Sequence, residues 1–183
     1  MKHVSRRVAL VALAALIAGP PIAAAQPLEL RNGLNAARLR GKTRFTAWGF
    51  NIYDASLWVE AGFDPDEYER HAFALELTYL RDFSNQAIAE RSINEMRRLS
   101  RATQEQLTAW QQSLRLAFPD IRKGDRITGI HRPGVGALFI TNGQPSGAVR
   151  DAEFARLFFG IWLSAQTSEP GLRAALVSGA TTQ

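Results

Sequence analysis

Residues 43–60 read Thr-Arg-Phe-Thr-Ala-Trp-Gly-Phe-Asn-Ile-Tyr-Asp-Ala-Ser-Leu-Trp-Val-Glu. The stretch is rich in β-branched and aromatic side chains, which suit strands. Its two-residue alternation changes phase near Gly49. Before the glycine, Phe45 and Ala47 share one side, with Arg44, Thr46 and Trp48 on the other. After it, Tyr53, Ala55, Leu57 and Val59 form an apolar side, while Asp54, Ser56 and Glu60 face away. A phase break at a glycine inside a strand pattern marks a turn or bulge. The reading is two antiparallel strands joined near Trp48-Gly49. Arg44 and Asp54, each five positions from Gly49, then stand opposite one another.

Working outward, Asn32-Gly33 is a turn dipeptide and Leu34–Leu39 suits an edge strand. Ala61-Gly62 and Asp64-Pro65-Asp66 end the hairpin, and Glu67–Arg70 is a loop or a single helical turn. Ala72–Arg81 alternates, with Phe73, Leu75, Leu77 and Tyr79 on one face, and is a strand. Ser84 caps a helix running to about Arg101, with Ile88, Ser92, Met96 and Leu99 on its inner face and Glu90, Arg91, Glu95, Arg97 and Arg98 on a charged flank. Thr103 and Gln106 form a capping box for a second helix that carries Leu107, Trp110, Leu114 and Phe118 and stops at Pro119. Strands follow at Arg126–His131, Ala137–Thr141 and Gln144–Val149, the last two joined by Asn142-Gly143, the dipeptide that a type I′ turn favours. Asp151 caps a helix over Ala152–Leu163, and a short helix covers Leu172–Val177. Strands and helices come in blocks, so the fold class is α+β: a curved antiparallel sheet with helices packed on one face.

The chain has 183 residues, 46% of them hydrophobic, enough for one domain with a sizeable core. Residues 1–25 have the three parts of a secretory signal peptide: basic Lys2, Arg6 and Arg7, the apolar run Val8–Ala18, and small Ala23-Ala24-Ala25 before Gln26. That run is shorter than the roughly 20 residues a membrane span needs. The expected domain is therefore 26–183, in the periplasm, with no stable membrane anchor after cleavage. Without the leader's three basic residues, 19 of the 22 Lys and Arg stand against 17 Asp and Glu. So mild a balance makes no electrostatic case for nucleic acid. The absence of cysteine excludes a disulfide and a thiolate nucleophile.

The sequence has no glycine-rich phosphate loop, no metal-ligand spacing and no nucleophile elbow around Ser56, Ser92 or Ser164. No cofactor and no metal are expected. His71 and His131 are far apart and suit surface or strand positions. Asp64, Asp66 and Glu67 read as a solvated loop. Arg44 and Asp54 are the candidate pair, either as an exposed cross-strand ion pair or as an arginine held to receive a carboxylate or phenolate and oriented by the aspartate.

Five stretches together resemble bacterial chalcone isomerase-like domains: Trp48–Trp58, Leu75–Asp82, Ser92–Met96, Lys123–Arg126 and Phe154–Leu163. They occur in family order. The resemblance implies an open-faced β-sandwich with a ligand cleft between sheet and helices. Plant members cyclise chalcones without a cofactor, using an arginine, a threonine, a lysine, a tyrosine and an asparagine; other members bind fatty acids and have no isomerase activity. By that resemblance Arg44 matches the site arginine (Arg38 or Arg40 under another hairpin register) and Asn94 the asparagine. The threonine falls at Asp54, the tyrosine near Ala87 and the lysine near Ala74 or Leu75.

The expected function is a non-catalytic domain binding a small amphipathic or fatty-acid-like ligand, with Arg44, Tyr53, Asp54, Tyr79 and Asn94 as site residues. A second reading is a cofactor-independent isomerase or lyase with Asp54 as general base, which requires Asp54 to be buried with a raised pKa. A third is an envelope interaction module docking a protein partner through Trp58, Trp110 and Trp162, residues that equally suit core packing.

Overall fold

The computed structural model describes residues 27–31 and 33–179. The leader expected over 1–25 and the Asn32 half of the first turn dipeptide lie outside these. Six strands form one antiparallel meander: β1 (Arg38–Ala47), β2 (Phe50–Val59), β3 (Phe73–Tyr79), β4 (Arg126–Arg132), β5 (Gly136–Thr141) and β6 (Gln144–Val149), each paired with the next. Helices α1 (Asn85–Leu99) and α2 (Gln104–Ala117) are inserted between β3 and β4. Helices α3 (Ala152–Leu163) and α4 (Pro170–Val177) follow β6. The architecture is the α+β open-faced sandwich expected.

Local chemistry sets these boundaries. Ser84 accepts from the Ala87 N–H at the start of α1, and Asp151 accepts from the Glu153 and Phe154 N–H groups at the start of α3. The Thr103/Gln106 capping box is present in both directions. The two hairpin turns place Trp48 and Gly49 at φ 50° and 78°, and Asn142 and Gly143 at 51° and 81°. Positive φ at both central residues matches the right-handed strand twist on either side. Before α3, a bridge between Phe83 and Ile121 ties the entry of α1 to the exit of α2.

The main core lies between the sheet and the helices. Ala55, Leu57 and Val59 of β2, Phe73, Leu75, Leu77 and Tyr79 of β3, and Ile127 and Phe139 face it, and α3 fills it with Phe154, Phe158, Phe159 and Trp162. Gly129 gives α3 its seat, since a Cβ there would lie 3.0 Å from the Phe159 ring. His131 is buried on β4, stacked on Phe73 at 4.9 Å; its Nδ1–H donates to the His71 carbonyl oxygen, which can only accept.

The opposite face of the sheet is not bare. Leu30, Leu34 and Ala37 pack on Trp58, Ala74, Ile130 and Ile140. This corrects the expectation of an edge strand over Leu34–Leu39: β1 begins only at Arg38, and the chain before it crosses the outer face instead. Burying Leu30 and Leu34 over Trp58 removes apolar surface on both partners, which pairing at the sheet edge would not. Arg126 fastens the segment, donating to Glu29 and lying 3.4 Å from Glu76. Burial raises the Glu76 pKa, with Arg126 opposing.

Helix α4 closes the far edge by docking on β1. A Cβ at Gly41 would lie 2.3 Å from the Leu176 carbonyl oxygen and 2.6 Å from that of Ala175. Arg40 adds a hydrogen bond from Nε to the Val177 carbonyl at 2.8 Å. Gly41→Ala should therefore destabilise the fold by about 1–3 kcal/mol through overpacking. In urea denaturation Gly171→Ala, with open space around its helical position, should be at least as stable as the wild type; equal midpoints for the two variants would show that α4 is not seated on Gly41.

Candidate functional site

The space left between sheet and helices is a cavity of about 510 Å³. Its floor is β1–β2 near the hairpin turn with β3 and β4: Phe45, Tyr53, Leu77, Tyr79 and Ile127. Its roof is α1 and α3, presenting Ala87, Ile88, Phe158 and Trp162, with Leu172 of α4 at one side. The lining is mostly aromatic and aliphatic, with a few polar groups, which is the make-up of a small-molecule site.

Those polar groups gather around Tyr53 and the flank of α1. Phe45 stacks on Tyr53 at 5.1 Å, and Tyr79 meets Tyr53 edge-on at 5.9 Å. The Tyr53 hydroxyl accepts a hydrogen bond from Trp162 Nε1 at 3.0 Å. No described residue hydrogen-bonds the Tyr79 hydroxyl. Burial pushes both phenols well above their ordinary pKa, so both stay protonated across the neutral range. Arg91, Ser92, Glu95, Ser168 and Glu169 complete the polar side. Glu95 is 8% exposed; one carboxylate oxygen lies 2.8 Å from the Arg91 guanidinium and the other accepts from the Ser168 hydroxyl at 2.8 Å.

Of the residues expected at the site, Tyr53 and Tyr79 line the cavity. Arg44 and Asp54 do not. They pair across the hairpin as the phase of the sequence requires, in a bidentate ion pair at 2.7 and 2.9 Å. The pair lies on the face opposite the cavity, because Phe45 and Tyr53, one position away on each strand, point inward. Asn94 is exposed on α1 and is not among the lining residues. Arg38 is exposed on β1, and Arg40 is spent on α4. The expectation of Arg44 at the polar end of the cleft is thus revised by strand parity: the cavity's guanidinium belongs to Arg91.

The same geometry tests the other readings. A general base at Asp54 needs a raised pKa inside the cavity, but the Arg44 hydrogen bond holds its carboxyl below the usual carboxylate range, on the outer face with its side chain 22% exposed. Ala87 sits in the cavity wall without a polar atom, and Leu75 is packed in the core. Trp58, Trp110 and Trp162 are all buried, and Trp110 Nε1 donates to Asp151 at 2.9 Å, so they offer no docking surface. The exposed indole is Trp48, at the hairpin tip and rim of the cavity. Among the described residues no group of three or more His, Asp or Glu side chains could hold a metal, and no helix is long and apolar enough to cross a membrane.

Arg91, Glu95 and Ser168 went unread as site residues. A signal for two of them existed: Ile88, Arg91, Ser92 and Glu95 follow the three- and four-residue spacing of a single helix stripe. A charged pair on that stripe, beside the apolar face, marks the edge where the face meets an opening.

Comparison with known proteins adds three findings. A family model described as chalcone isomerase-like matches residues 26–178. No curated protein matches the chain in sequence. Among solved structures, a fatty-acid binding protein of Arabidopsis thaliana has a TM-score of 0.59 to this chain at 12% identity, over 78% of this chain and 87% of that one. At that identity the likeness is one of fold.

The Trp162–Tyr53 bond ties roof to floor. Tyr53→Phe leaves a buried indole N–H without its acceptor and should cost about 1–3 kcal/mol of stability. Chemical denaturation reads this directly. A variant as stable as the wild type would mean that the bond contributes nothing to holding α3 on the sheet.

Proposed function

The chain belongs to the chalcone isomerase-like family, and from that premise we propose that it is a ligand-binding rather than a catalytic member, holding a small amphipathic molecule with a fatty-acid-like apolar part between sheet and helices. The observation that carries this reading is the cavity of about 510 Å³ lined by Phe45, Leu77, Phe83, Ile127 and Phe158. The fold it shares with a plant fatty-acid binding protein supports an acyl-type occupant. Each methylene taken from water contributes about 0.8 kcal/mol, so ten contribute about 8 kcal/mol, comparable with the cost of association. Chain length, more than any single polar contact, would then set affinity. The loss of polarising donors argues against turnover. Where the family keeps a tyrosine, Ala87 lines the wall, and where it keeps a threonine, Asp54 is locked to Arg44 outside the cavity.

Isothermal titration of delipidated protein with a series of saturated amphiphiles of increasing length should give saturable binding that tightens along the series. Ala87→Trp, which puts an indole into the space, should abolish it while leaving the melting temperature within about 4 °C, the shift that roughly 1 kcal/mol produces at this size. Binding that survives in Ala87→Trp would place the ligand elsewhere.

The expected leader at residues 1–25 supports export to the periplasm. N-terminal sequencing of the protein recovered from the periplasmic fraction should then begin at Gln26; an intact Met1 in a cytoplasmic fraction would refute it.

A further inference from the structure

We infer that the occupant's polar head is an uncharged oxygen group, an alcohol, ester or ketone, and not a free carboxylate. This rests on the ligand-binding reading above and sharpens it.

Three charged side chains line the cavity: Arg91, Glu95 and Glu169. Arg91 is already engaged, 2.8 Å from Glu95. Glu95 is held a second time by the Ser168 hydroxyl and lies within 3.9 Å of Arg98. Glu169 has no ion-pair partner among the described residues and is half-buried. The lining therefore carries one more negative charge than positive. A carboxylate head would meet Glu169 unpaired. At Arg91, whose side chain is 58% exposed, it would share the guanidinium with Glu95 and crowd two carboxylates onto one cation, which like-charge repulsion opposes.

An uncharged oxygen meets a different surface. The Tyr53 oxygen accepts from Trp162 Nε1, so its own O–H remains to donate. The Tyr79 hydroxyl has no partner among the described residues, and its ring lies 5.9 Å from that of Tyr53. Two neighbouring phenol donors match the two lone pairs of a hydroxyl, ester or ketone oxygen. They do so with no ionic charge to bring past Glu169. Burial keeps both phenols protonated, so the donors persist across the working pH range. An ammonium head could pair with Glu169, but it has no lone pair to accept from the two phenol O–H groups.

The test is calorimetric titration of the delipidated protein at neutral pH with four ligands of one chain length: decanol, methyl decanoate, decanoate and decylamine. Decanol and methyl decanoate should bind at least about tenfold tighter than decanoate, since like-charge contact costs upward of the ~1.4 kcal/mol that a factor of ten represents. Glu169→Gln should strengthen decanoate binding severalfold more than it changes decanol binding. Tyr79→Phe should weaken decanol severalfold. Decanoate or decylamine as the tightest ligand overturns the assignment, and so does a Glu169→Gln variant in which decanoate does not gain. If no head group gives saturable binding, the cavity reading falls and the head-group assignment falls with it.

Discussion

The register of the β1–β2 hairpin is the constraint on which the site depends. Trp48 and Gly49 both adopt positive φ at the turn. That turn pairs Ala47 with Phe50, and a register shift between Phe45 and Thr46 then sets Arg44 against Asp54 and Phe45 against Tyr53. Because successive side chains alternate across a strand, one choice of register sends two aromatic rings inward and an ion pair outward. A slip of one residue would reverse both, placing a guanidinium and a carboxylate under α3 and two rings in water. The exposed pair adds little stability of its own. The inward pair carries more, since Tyr53 receives the Trp162 N–H, stacks with Phe45 and borders the cavity.

The outer face shows the same economy on a larger scale. A six-stranded sheet with helices on one side leaves its other side to water or to whatever chain is at hand. Here the chain before β1 covers it, with Leu30 and Leu34 over Trp58 and Ile130. The cover brings Glu29 to Arg126, beside Glu76. Glu76 and Arg126 sit on neighbouring strands within the sheet, so the carboxylate–guanidinium contact was available before the cover arrived. Glu29 then shares a cation already placed. The cost is a desolvated Glu76, whose pKa rises for that reason.

Most of the elements were legible in the sequence because they follow local rules. The caps at Ser84, Thr103 and Asp151, the Asn142-Gly143 turn and the alternation of Phe73–Tyr79 each depend on a few neighbouring residues, and each element lies where its pattern places it. The path of residues 27–31 and 33–37 was not legible, since nothing local tells a short apolar run whether to join a sheet edge or lie across a sheet face. The site was legible in part. Tyr53 and Tyr79 follow from the apolar side of their strands. Arg44 was drawn into the cleft by its match to a family arginine, although the alternation of 43–60 already put it on the polar side with Asp54. Where a motif match and strand parity disagree about direction, parity is the stronger physical statement, since it is set by backbone geometry. Arg91 and Glu95 were obscured for the opposite reason: a charged flank normally faces water, and only the opening between α1 and the sheet makes it a wall.

That opening is itself unfavourable for the free protein. Atoms lining an apolar space forgo the dispersion contacts a packed core would supply, and Ala87 and Ser92 of α1 are small where larger residues could fill the gap. The fold compensates around the rim instead, through the Trp162–Tyr53 and Glu95–Ser168 bonds. A ligand that fills the space recovers the missing contacts and binds the folded chain alone, which at a hundredfold excess over Kd adds about 2.7 kcal/mol of stability by mass action. The hairpin register, the small residues of α1 and the bonds that brace the rim thus serve one arrangement, in which the folded chain keeps an apolar space open and gains stability when it is filled.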